Sequence, residues 1–146
     1  MLAEFQRALA DLTASPDLCR EVRRDPEALR PRYDVTEREW RRLVSIARSK
    51  GMEANCMLYR ANRLAPVALN LPRTCELLRE ELPGLLSRYW TGEPTTDVHF
   101  LVEADRFCRF LREHAVLPDA ALAALAEEHA EVAARLEATR LVASGF

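Results

Sequence analysis

Apolar residues recur at three- and four-residue intervals along the chain, and no stretch shows the sustained alternation of a half-buried strand. Leu2, Phe5, Leu9 and Leu12 set a first helix. Ser15-Pro16 supplies an N-cap and a first-turn proline for a second, which carries Leu18, Cys19 and Val22. Asp25-Pro26 restarts a segment through Leu29 that ends near Pro31-Arg32-Tyr33. Thr36 and Glu39 have capping-box spacing for a helix through Ile46 to Lys50, with Gly51 as its C-cap.

A central helix runs from Met52 to about Asn70 and contains Pro66, whose missing N–H predicts a bend or break near Asn62 that opens the neighbouring polar groups. Leu71-Pro72-Arg73-Thr74 starts the next helix, through Leu77, Leu78 and Leu82, interrupted at Pro83-Gly84 and resumed to Trp90. Thr91 to Thr96 is the longest irregular piece. Phe100, Ala104, Phe107, Cys108 and Leu111 then line one face of a helix ending at His114; Val98 to Val102 admits a strand reading, but its continuation favours helix. After a linker at Val116 to Asp119, the Ala- and Glu-rich run from Ala120 to about Val142 forms a final helix by propensity. The pattern predicts an all-α protein, a single compact bundle of seven to nine helices, with residues 1–51 an N-terminal subregion and 52–146 the remainder.

Composition narrows the function classes. With 146 residues, 49% of them hydrophobic, the chain can bury a real core, and a net charge of −2 argues against a protein that lives by counterion release on nucleic acid. Lys50 is the only lysine beside abundant arginine, a bias that by itself says little about binding. Cys19, Cys56, Cys75 and Cys108 contain no C-x-x-C spacing and read as buried, reduced thiols. Glu4, Arg7 and Asp11 interrupt the N-terminal apolar positions, and no run has the length of a membrane span, so a cytoplasmic location is expected.

Candidate chemistry is sparse. His99 and Glu103, four residues apart, would share a helical face as two ligands of an iron or zinc site, but nothing adjacent completes a coordination shell. Cys56 and Cys75 lack a Gly-bounded turn or a visible base, so no catalytic residue is assigned. The clusters Arg20 to Arg24, Arg38 to Arg42 and Arg106 to Arg112 alternate with acids and read as solvated faces. The densest polar set is Tyr59, Arg60, Asn62 and Arg63, ahead of the Pro72-Arg73-Thr74 corner. Two readings apply: an internal network in which Arg63 pairs with Glu103 or Asp105, or a docking surface for a partner protein or peptide. Tyr89-Trp90, before Thr91-Gly92-Glu93-Pro94, is either a core lid or a second recognition surface.

The order YRANRL, LPRTCELL, a Tyr89-Trp90 helix end and DVHFLVEADRFCRFL resembles the small partner proteins of multinuclear non-heme iron oxidases in ribosomally made peptide pathways, including the methanobactin and thiaglutamate pathways. It also looks like an N-terminal domain, assigned to DNA binding, encoded beside the same enzymes. The resemblance covers roughly Asp34 to Leu111. It implies a non-catalytic subunit that forms a heterodimer with the iron oxidase and helps recognise or present the precursor peptide, with iron held by the partner and no cofactor or metal in this chain. Carried over, the partner- or peptide-binding residues are Tyr59, Arg60, Asn62, Arg63, Pro72, Arg73, Thr74, Glu103 and Phe107. Peptide-binding members of that kind pair a leader with strands after the last helix, and no such strand is expected within residues 1–146, which leaves the leader to the helices or to the enzyme, or implies another purpose. An alternative resemblance, confined to Asp25-Pro26-Glu27-Ala28-Leu29, Arg32-Tyr33 and Thr36-Glu37, is to the small helical subunit of an extradiol aromatic-ring dioxygenase.

Overall fold

A computed structural model describes residues 2–97 and 99–145. Among them the chain is all-α, with eight helices and no strand: α1 Leu2–Ala14, α2 Pro16–Arg24, α3 Glu37–Ala47, α4 Lys50–Asn70, α5 Pro72–Leu77, α6 Leu82–Gly92, α7 Phe100–His114 and α8 Asp119–Ser144. A short 3-10 turn, Pro26–Leu29, separates α2 from α3. No helix is long and apolar enough to cross a membrane. The helices group into two compact units, Met1–Asn62 and Arg63–Phe146, so the division falls inside α4 rather than at its start, where the sequence pattern divides the chain.

The first unit is held by α1 to α3 and the start of α4 around Leu12, Cys19, Val22, Leu29 and Leu43, each fully buried. Its punctuation follows the sequence closely. Ser15 Oγ accepts from the Leu18 N–H with Pro16 in the first turn of α2. Thr36 and Glu39 make both bonds of the capping box on α3. Trp40 Nε1 donates to Pro26 O at 3.1 Å and Tyr33 Oη donates to Asp11 at 2.7 Å, tying the 3-10 segment to its neighbours.

The second unit packs α5, α6 and α7 with α8 and the end of α4. Phe107, Leu71, Leu111 and Val67 are fully buried, and Tyr89 meets Phe107 edge-on at 5.3 Å between ring centroids. Edge-to-face rings of this kind add about 0.5–1.5 kcal/mol beyond their area burial.

Four expectations are corrected. Gly51 is not a C-cap: α3 ends at Ala47, and Gly51 lies in the first turn of α4, where Ser49 Oγ accepts from the Met52 N–H. Pro66 does not break α4, which stays helical from Lys50 to Asn70. The proline deprives only the Asn62 carbonyl of its donor, Asn62 is exposed to water, and the flanking Arg63 and Val67 are anchored in the core. Pro83-Gly84 does not interrupt a helix either. The break comes earlier, at residues 78–81, and Pro83 occupies the first turn of α6, where its missing N–H is harmless. Phe100 is exposed, and Leu101 takes its place on the buried face of α7, because the helix starts at Phe100 and the core arc runs through 101, 104, 107, 108 and 111. Val98, included in the strand-or-helix segment, lies outside the described residues.

Thr36→Ala is expected to lower stability by about 1 kcal/mol through loss of the α3 cap, read by urea denaturation of the full chain. The Glu39 carboxyl is held below the usual glutamate range by the Thr36 backbone N–H first and by its hydroxyl second. A depressed folded-state value stabilises above the ordinary glutamate range and loses that effect as pH falls through it. The stability difference between wild type and Glu39→Gln should therefore be largest near neutral pH and shrink as the pH falls through the lowered folded-state value of the carboxyl, read by urea denaturation across the acid range.

Candidate docking helix and its buried polar centre

α4 is amphipathic in the reverse sense. At 3.6 residues per turn, Asn55, Cys56, Tyr59, Arg63, Pro66, Val67 and Asn70 fall on one side of the helix, and each of them is buried or half-buried. Met57, Leu58, Ala61, Leu64, Ala68 and Leu69 fall together on the opposite side, all of them exposed. Met57, Leu58 and Leu69 are 68%, 63% and 70% exposed, while Arg63 is 1% exposed.

Each inward polar group has a reason to face in. Within the first unit, Asn55 Nδ2 donates to Thr13 O at 2.8 Å and so serves a carbonyl that α1 leaves without an intrahelical donor. Arg60 reaches Asp17 at 3.4 Å, and Tyr59 is half-buried. Within the second unit, Arg63 Nε donates to Glu103 Oε1 at 2.9 Å, and both side chains are wholly inaccessible or nearly so. Asn70 donates to Pro66 O at 2.7 Å and accepts from Arg135 at 2.9 Å, fastening the end of α4 to α8.

The Arg63 guanidinium lies 5.4 Å from the Tyr89 ring centroid and 5.9 Å from that of Trp90. These faces partly replace the water that the cation has lost. The satisfaction is incomplete, since Arg63 Nη2, Glu103 Oε2, Tyr89 Oη and Trp90 Nε1 are buried with no hydrogen-bond partner among the described residues. Burial, with a smaller contribution from Glu103, pushes the Tyr89 phenol above its ordinary range, so it stays protonated. Asp105, the other carboxylate read as an Arg63 partner, instead contacts His129 Nε2 at 2.7 Å and Arg109 Nε at 3.0 Å.

The proline corner is likewise internal. Leu71 precedes α5 without a capping side chain, and the carboxylate of Glu128 on α8 fills that role. Glu128 accepts from the Arg73 N–H at 2.8 Å, the Thr74 N–H at 3.0 Å and the Thr74 hydroxyl at 2.7 Å. The Arg73 side chain pairs with Glu127 at 2.7 Å on the surface. Sequence reading missed Glu128 because its partners lie 54 and 55 positions away. Glu128 is one of four glutamates on an Ala-rich helix, so no local signal set it apart.

The nine residues assigned by resemblance thus separate. Arg63, Thr74, Glu103 and Phe107 are buried; Asn62, Pro72 and Arg73 are exposed; Tyr59 and Arg60 are half-buried. Arg63 is not opened by Pro66, as the sequence suggested, because its charge is committed to Glu103. Tyr89 is a core residue and Trp90 a half-buried lid on the same cluster, not a free recognition pair.

His99 and Glu103 do not converge as ligands: His99 is the exposed N-terminal flank of α7 in extended conformation, whereas Glu103 is buried on Arg63. Among the described residues no three His, Cys, Asp or Glu side chains form a metal-holding group. All four cysteines are free, and Cys56 and Cys75 are half-buried rather than fully so. Burial pushes the Cys75 thiol up to about 11, with Glu128 adding to the shift, which disfavours the nucleophilic thiolate.

Arg63→Ala is expected to cost about 3–5 kcal/mol by leaving Glu103 charged and unpaired in the core, whereas Arg63→Met combined with Glu103→Leu should restore stability to near wild type. Chemical denaturation of the three proteins checks the contrast. Glu128→Leu should cost about 3 kcal/mol by stripping acceptors from the Arg73 and Thr74 donors, read the same way.

Compared with protein-family models, with curated proteins and with solved structures, the chain finds no match in any of the three.

Proposed function

We propose that this chain is a non-catalytic partner subunit of a multinuclear non-heme iron oxidase, docking on that enzyme as a heterodimer in the cytoplasm and helping to present a precursor peptide, with the iron held by the enzyme. The observation that supports docking is the outward apolar side of α4. Within the first unit, Met57 and Ala61 have the i, i+4 spacing of a helix laid into an apolar groove, and Leu58 widens the exposed patch. Arg60 and Asn62 border it with polar groups, the arrangement of a hydrophobic centre and a polar rim.

This reading shifts the contact from the residues carried over by resemblance to their neighbours on the same helix. Arg63, Thr74, Glu103 and Phe107 act as internal supports that fix α4 and α5, and the apolar outward positions supply the contact energy. Burying one Leu or Met side chain is worth about 1.5–3 kcal/mol, so several of them outweigh what a rim arginine contributes.

The test is affinity purification of tagged wild type, Met57→Glu and Leu58→Glu from the native host, with mass spectrometry and iron analysis of the eluate. Wild type should retain a stoichiometric iron oxidase, and each variant should lose at least about tenfold of it. Thermal stability should change by no more than about 0.5 kcal/mol, since both positions are exposed. Recovery of no iron oxidase, or undiminished recovery with both charged variants, would overturn the proposal.

A further inference from the structure

The second unit contains a cleft of about 640 Å³ between α6 and α7 that has no part in the docking proposal. Its volume lies within the range of small-molecule sites, about 300–1,000 Å³. Phe110 forms an aromatic wall, backed by the buried Tyr89 ring at 5.5 Å between centroids, and Arg88, Arg106, Arg109 and His114 contribute cationic or ionisable groups. Glu93 and Glu113 are the acids in the lining.

The arginines are not equivalent. Arg109 pairs with Asp105 at 3.0 Å and Arg106 lies 3.7 Å from Asp97. Arg88 has no carboxylate partner among the described residues. Its Nη2 donates to His114 O at 3.0 Å, and its guanidinium carbon lies 5.8 Å from the Phe110 ring centroid. One hydrogen bond therefore positions the guanidinium beside an aromatic wall while most of its five N–H donors remain available. An oriented guanidinium matches a carboxylate in charge and in bidentate geometry, which an ammonium does not. The adjoining ring suits a flat apolar body.

We infer that the α6–α7 cleft binds a small arylalkyl carboxylate, with the carboxylate on Arg88 and the aryl group against Phe110. Arg106 and Arg109 are paired with Asp97 and Asp105, and Glu113 lies 3.6 Å from His114 Nε2, so among the described residues of the lining Arg88 is the cation left to receive an anion. Gly92 leaves the lining without a side chain: a Cβ built there meets nothing within 4 Å, so a larger residue can be introduced at that point without a backbone clash.

Amide NMR titration of the full chain with 3-phenylpropionate, 3-phenylpropionamide and phenethylammonium tests the site. The carboxylate should produce saturable shifts confined to residues 87–93 and 106–114, and the amide and ammonium should bind at least about tenfold more weakly. Arg88→Gln and Gly92→Phe should each weaken carboxylate binding by about tenfold or more, the first by removing the anion's partner and the second by filling the lining, with the melting temperature unchanged. Equal affinity for acid and amide, shifts outside the cleft, no saturation at millimolar probe, or full binding by folded Arg88→Gln would overturn the assignment. None of these readouts depends on the oxidase.

Discussion

The Arg63–Glu103 pair governs how α4 is used. Moving two charges into a core costs several kcal/mol each before their attraction returns any of it, so the pair is tolerated only where its geometry and surroundings compensate. Here the compensation is a 2.9 Å charge-assisted bond and two aromatic faces within 6 Å of the guanidinium. One nitrogen and one oxygen of the pair remain unpartnered, and the hydroxyl and indole N–H around them do too. Such a centre does less for net stability than for specificity. It fixes which side of α4 faces its unit's core, because rotating the helix would leave Glu103 buried without its cation.

That choice has a structural corollary on the opposite side. With Asn55, Tyr59, Arg63 and Asn70 turned inward, α4 shows Met, Leu and Ala side chains to water beside the polar Lys50, Glu53 and Asn62. The inward groups are useful where they stand: Asn55 completes the end of α1, and Asn70 joins α4 to Arg135. The same economy appears at other termini, where Glu128 caps α5 from α8 and Arg23 Nε bonds Ala47 O at 2.7 Å at the end of α3. Helix ends expose several unpaired backbone groups, and this chain meets part of that demand with side chains distant in sequence. Charged side chains thereby link separate helices as well as solvating the surface.

These long-range caps mark the boundary of what local sequence shows. Ser15, Thr36 and Glu39 are legible because cap and capped N–H lie within three positions. Gly51 misleads because glycine ends helices only where a chain must turn, and Ser49 restarts the helix just before it. Pro66 misleads because a proline's local cost is offset by tertiary anchors on both sides. The Arg63–Glu103 partnership was legible as one of two pairings, but its burial was not, since polar residues at helical spacing look the same whether they face water or a core. The Tyr59 to Arg63 density therefore gave no sign that Arg63 faces the core while Asn62 beside it faces water. Phe100 and Leu101 show the same limit on a smaller scale, where a one-position shift in helix start rotates the buried face.

A core that holds the polar side of a helix leaves two ways to treat its apolar side: cover it within the chain or present it to another surface. Small exposed apolar residues are ordinary on monomers, but Met57 and Leu58, adjoining and 68% and 63% exposed, are not balanced by any matching internal gain. Replacing Met57, Leu58 and Leu69 with charges would remove that exposure at little cost to the fold, since each projects from the side of α4 opposite its bonded groups. The patch is thus separable from stability, whereas Arg63, Glu103, Thr74 and Glu128 are not. Residues that can change freely without harming the fold are those on which a binding role can act, and residues that cannot are the frame that holds them. On this chain the polar motif is the frame, and the apolar positions between its members are those whose replacement leaves the frame intact.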